Sequence, residues 1–166
     1  MTLPISVPRA HWHEPMGRAL QEARRALGDD TPASPAPDVP IGAVVLDSSS
    51  RIIGRGYNTR ERDNDPTGHA EVNAIREAAQ HLGSWRLDDC TLVVTLEPCA
   101  MCAGTILLSR IPRLVIGAWD LKAGATGSVW DIVRDARMNH FTEVISGVRE
   151  AECARLLRDF FESRRP

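Results

Sequence analysis

No apolar run in this 166-residue chain approaches the roughly 20 residues needed to cross a bilayer, so no membrane span is expected. Met1 to Trp12 lacks the basic start and apolar core of a secretion signal, and the expected location is the cytoplasm. Cysteine is scarce: there are four, two of them in Cys99-Ala100-Met101-Cys102. That is too few for a disulfide framework and fits a reducing compartment and metal binding better. A strong charge of either sign is also missing. The net charge of −2 gives no overall attraction to a polyanion, so any nucleic-acid contact must come from a local patch. The chain has no internal repeat. Its 43% hydrophobic and 25% charged residues are ordinary for a globular protein, and one domain spanning residues 1–166 is expected.

Two short stretches stand out against this background: Gly68-His69-Ala70-Glu71 and Glu97-Pro98-Cys99-Ala100-Met101-Cys102. Each opens a helical pattern after a loop or strand. Together they offer one imidazole and two thiols, which can hold zinc with the fourth position left open, as in catalytic rather than structural sites. Cys99 and Cys102 are i and i+3 on one helix, so both thiols project to one side. The helix N-terminus favours the thiolates that zinc requires. Glu71 lies about 200° round the helix from His69, which suits a proton carrier beside the metal better than a second ligand. Each part alone has a bland reading, a capping His or a redox Cys-x-x-Cys. The combination, with 26 residues between Glu71 and Pro98, is far more specific. A structural site would need a fourth ligand, and the spacings of His81, His140, Cys90 and Cys153 nominate none. Cys90 and Cys153 read as packing thiols.

The periodicity predicts a helix over His13–Leu27, a β-hairpin over Ile41–Asp47 and Arg51–Asn58, and a helix from His69 to Leu82. A strand follows at Cys90–Leu96, buried on both faces, then a helix from Pro98 to about Ser109 and a strand at Arg113–Trp119. Asp120–Phe141 is long enough for a crossover with a helix of its own, so that Thr142–Val148 runs parallel to the preceding strand. Glu150–Arg164 closes as a helix. Asp29–Pro40, with its prolines and aspartates, reads as an exposed connection, and Thr59–Thr67 as a loop. The order argues for an α/β sandwich: one mixed five-stranded sheet between helical layers.

His-Ala-Glu with Pro-Cys-x-x-Cys resembles the cytidine deaminase superfamily. The context narrows this: Asp65-Pro66-Thr67-Gly68-His69-Ala70-Glu71, Thr95 to Gly104, Asp120 to Ser128 with Lys122, Met138-Asn139-His140, and Phe160-Phe161 with Arg164-Arg165 are similar to the bacterial tRNA-specific adenosine deaminases. That resemblance implies the three-layer α/β/α cytidine-deaminase-like fold and conversion of adenosine to inosine at the wobble position of a tRNA anticodon loop. It implies one Zn2+ per subunit on His69, Cys99 and Cys102, with Glu71 shuttling protons. Asn58 would hydrogen-bond the flipped base, Ile41 would form part of the pocket wall, and the Ala70 amide would help orient the base. Asp120, Lys122, Asn139, Phe160 and Arg164 fall where the family contacts the anticodon stem-loop, and the family works as a homodimer. The nearest rival is a deaminase of a free base or nucleoside, of guanine or cytosine type.

Overall fold

The computed structural model describes residues 7–28 and 36–164. Most of the Asp29–Pro40 segment, and Arg165, lie outside the described residues. After a 3-10 turn at Arg9–Trp12, the elements are α1 (His13–Arg25), β1 (Gly42–Leu46), β2 (Ile52–Tyr57), α2 (Arg60–Asp63), α3 (Ala70–Leu82), β3 (Thr91–Leu96), α4 (Ala100–Leu108), β4 (Arg113–Ala118), β5 (Glu143–Ile145) and α5 (Glu150–Glu162).

The five strands make one mixed sheet in the order β2-β1-β3-β4-β5. β1 pairs antiparallel with both β2 and β3, while β3, β4 and β5 run parallel. β1, β3 and β4 are buried on both faces, and the alternation of their side chains divides the interior into two cores. Ala43, Val45, Leu92, Val94, Leu114 and Ile116 pack under α3 and α4. Val44, Leu46, Val93 and Val115 face the other way, against Met16 and Leu20 of α1 and Cys153 of α5. Because β3 and β4 are parallel, both deliver the following chain to the same sheet end, where Cys99 begins α4 and Asp120 begins a long loop. α3 starts at that end too, after β2 has handed the chain on through Asn58.

Four expectations are corrected. The crossover from Asp120 to Phe141 contains no helix. Glycines break it, and its backbone groups are satisfied by turns and by cross-links such as Ile132 N–H to the Ala125 carbonyl, while Ala125 and Val133 pack into the core. β5 keeps only three residues of the expected strand, pairing with Arg113 to Val115 at the sheet edge. Thr59–Thr67 carries the short α2 instead of being all loop. Asp38, placed in an exposed connection, is in fact buried. Its N–H donates to the Ala26 carbonyl at 2.9 Å, and its carboxylate accepts the N–H groups of Glu61 and Arg62 at 3.0 and 3.2 Å.

Candidate metal centre and substrate cleft

His69 and Cys99 are each the N-cap of a helix, with extended backbones (ψ 150° and 176°), and neither side chain makes a capping hydrogen bond. N-caps are usually Ser, Thr, Asp or Asn, whose oxygen satisfies an orphan N–H. Here the cap side chains are released toward each other instead. Pro98 therefore sits just outside α4, not in its first turn. The orphan Ala70 N–H is satisfied from across the chain by the Asn58 side-chain oxygen, at 3.1 Å. The Ala70 amide, expected to orient a base directly, is thus occupied. What it orients is Asn58, whose NH2 end is left for the cleft.

His69 Nδ1 lies 3.7 Å from Cys99 Sγ and 3.4 Å from Cys102 Sγ, and the three ligand atoms all lie within 4.8 Å of one another. Tetrahedral zinc, with bonds of about 2.3 Å to sulfur and 2.0–2.1 Å to nitrogen, would set N and S about 3.6 Å apart. The donor set and its spacing fit the ion with one position left open. A cysteine–cysteine hydrogen bond pulls the Cys99 thiol down to about 4 and pushes Cys102 up, burial adding to the rise of Cys102. The hydrogen bond to Cys99 raises His69. A divalent cation replaces these shared protons and takes both sulfurs as thiolates.

Glu71, in the first turn of α3, is 4% exposed. Burial pushes its carboxyl up to about 7, and it lies within hydrogen-bonding reach of Cys102. The positive charge of a bound ion opposes that rise. A buried carboxyl beside an open metal position can hold or release a proton at neutral pH.

A cleft of about 610 Å³ opens over His69. Ile41, Asn58, Asp120 and Lys122 line it, together with Asp38, Arg60, Trp119, Leu121 and Phe161. Asp120 Oδ1 is used within its own turn, accepting the N–H groups of Lys122 and Ala123. Phe160 is 8% exposed, and its neighbour Phe161 reaches the cleft in its place. Arg164 stacks over the Phe160 ring at 3.8 Å and does not line the cleft. Asn139 is not brought to it either: it accepts a hydrogen bond from Arg110 at 2.6 Å, beyond the far end of α4. The sequence reading missed Arg60, Asp38, Leu121 and Trp119, and named Phe161 only alongside Phe160. Of those missed, Leu121 and Trp119 adjoin Asp120 and Lys122, which were read.

The fold and the site together define a zinc-dependent hydrolytic enzyme. Residues 13–118 match the model of the cytidine and deoxycytidylate deaminase zinc-binding region. The chain is 49% identical over 160 residues to the tRNA-specific adenosine deaminase of Haemophilus influenzae, covering 95% of this chain and 87% of that one. It is 43% identical over 150 residues to the enzyme of that name in Bacillus subtilis, covering 90% and 88%. A solved structure from work on A-to-I editing by tRNA:A34 deaminases at the wobble position of transfer RNA superposes with a TM-score of 0.78 at 42% identity, covering 87% of this chain and 99% of that one. The chain belongs to the cytidine and deoxycytidylate deaminase family, among its tRNA-specific adenosine deaminases.

Proposed function

We propose that this protein hydrolyses adenosine to inosine, with release of ammonia, at the wobble position of a tRNA anticodon loop. The observation that carries the reading is the cleft over His69, whose mouth combines exposed apolar side chains (Leu121 and Phe161) with the cations of Arg60 and Lys122. Such a mouth suits an unpaired loop, which is read by stacking and edge hydrogen bonds with its phosphates nearby. Zinc bound by His69, Cys99 and Cys102 supplies the Lewis acidity that makes water a nucleophile near neutral pH. Glu71 takes the proton of the attacking water and delivers protons to the adenine ring and to the departing amine. Asn58, held by the Ala70 N–H, donates its NH2 to the base, and Ile41 packs along the wall. A tRNA substrate supports activity in the cytoplasm.

The test is inosine formation on an anticodon stem-loop beside free adenosine, cytidine and guanine. Turnover of the stem-loop alone is expected; equal turnover of a free base or nucleoside would move the chain to the small-molecule deaminases. Single-strand binding weakens with salt by a slope of about −0.7 per phosphate contacted. Two phosphates at Arg60 and Lys122 predict about −1.4, and Lys122→Ala should halve that slope with zinc content unchanged. An unaltered slope would mean that Lys122 is merely solvated.

The working unit in this reading is a homodimer. α4 carries no charged residue, and its outer face, with Met101 and Leu108 (71% exposed), is unpartnered among the described residues. The 120–141 loop runs beside it, pinned by Ala125 N–H to the Pro98 carbonyl at one end and by Arg110 to Asn139 at the other. That loop also exposes Val129, Trp130, Met138 and Phe141. In this reading a second copy covers this patch. Leu108→Glu should convert the dimer to a monomer in light scattering. A parent protein that is already monomeric at micromolar concentration would refute this assembly.

A further inference from the structure

Glu97 directly follows β3, next to the metal helix, yet neither the zinc site nor the cleft lining uses it. Its side chain is 2% exposed, and both carboxylate oxygens are taken. Oε2 accepts the N–H of Asp120 at 3.0 Å; Oε1 accepts the N–H groups of Thr126 and Ser128 at 3.1 and 3.0 Å, with the Thr126 hydroxyl at 3.5 Å. All these donors belong to the one segment that follows β4. That segment contains no helix or strand, so its shape depends on what it is wrapped around. It closes on itself through the Ser128 hydroxyl, which donates to the Asp120 carbonyl at 2.7 Å. Gly124 sits where a Cβ would strike the Glu97 carboxylate and the Ser128 hydroxyl, so the wrap is tight enough to demand a glycine there. The same segment supplies Asp120, Leu121, Lys122 and Ala123 to the cleft.

We infer that Glu97 is a positioning residue for substrate: it holds the 120–128 segment as the lip of the cleft and so sets how tightly the substrate is held, without touching the metal or the base. The inference rests on reading this cleft as the anticodon-loop site. A glutamine of the same shape cannot replace it. Every N–H that faces the carboxylate is a donor, and one end of an amide is a donor too.

Lys122 is the only lysine in the chain, so a protease specific for lysine reports on the lip alone. In zinc-replete Glu97→Gln, cleavage after Lys122 should be about tenfold faster, because the lip opens more often. KM for the stem-loop should rise about tenfold while kcat stays within about threefold, the signature of lost binding rather than lost chemistry. Gly124→Ala, which displaces the carboxylate from the other side, should shift both readouts the same way. The double variant should be no worse than the more affected single one, because both act on one contact. Gly124→Ala also decides the matter if Glu97→Gln does not fold. Unchanged cleavage and KM would overturn the inference, as would loss of zinc in step with activity or a fall in kcat alone. If the parent protein does not act on the stem-loop, the functional reading fails. Zinc content and the cleavage rates of the three variants then still decide whether Glu97 holds the lip.

Discussion

Glu71→Gln should keep its zinc and lose nearly all turnover. The amide has the size and burial of the carboxyl it replaces, so the first turn of α3 and the ligand His69 beside it stay in place. What disappears is the ability to take a proton and give it back. A general acid–base group typically contributes about 10²–10⁴-fold, and one residue serving several transfers should fall at the upper end. Metal analysis and single-turnover deamination on the same preparation separate the two roles. A variant within about tenfold of the parent rate would remove Glu71 from the chemistry. Loss of metal together with rate would make it a ligand or a structural support instead.

The four cysteines should divide into two pairs. Cys99→Ala and Cys102→Ala remove a sulfur that faces His69 Nδ1 and should empty the site. Three-ligand zinc does not survive in a site reduced to two protein ligands in the presence of a competing chelator. Cys90→Ala and Cys153→Ala should retain a full complement of metal. Burial pushes the Cys90 thiol up to about 11 and the Cys153 thiol up to about 12, so both are inert packing groups. Their loss should appear as about 1 kcal/mol of stability in a denaturant titration, from the small cavities left behind. Equal zinc loss across all four variants would mean that the ligands are misassigned.

The contrast between these pairs was legible in the sequence because it is a matter of local spacing. Cys99 and Cys102 declare a shared helix face by their i, i+3 interval. The apolar run from Cys90 to Leu96 likewise announced a strand buried on both sides, which became the central β3. The Asp120–Phe141 crossover was not legible in the same way. Its length allowed a helix, and nothing nearby reveals that a buried carboxylate just after β3 would organise it. Long-range capture of backbone N–H groups leaves no periodic trace. Asp38 was misread for a similar reason: proline and aspartate usually mark solvent, but this aspartate caps the start of α2 from more than twenty residues away. The exchange of Phe160 for Phe161 at the cleft is the uncertainty of rotation that any amphipathic helix of the α5 kind carries before its packing is known.

The hydrogen bond between Asp38 and Ala26 also bears on how freely this protein can be rebuilt. It ties Ala26, just after α1, to Asp38, and the Asp38 carboxylate then fixes the chain before it reaches Ile41 and the cleft wall. Whatever number of residues separates Ala26 from Asp38, the strand that follows starts from the same anchored point. Doubling the length of such a loop adds only about 0.6 kcal/mol of closure entropy. An epitope, a fluorescent reporter or a second RNA-binding module inserted between Ala26 and Asp38 would be separated from the catalytic machinery by these three hydrogen bonds.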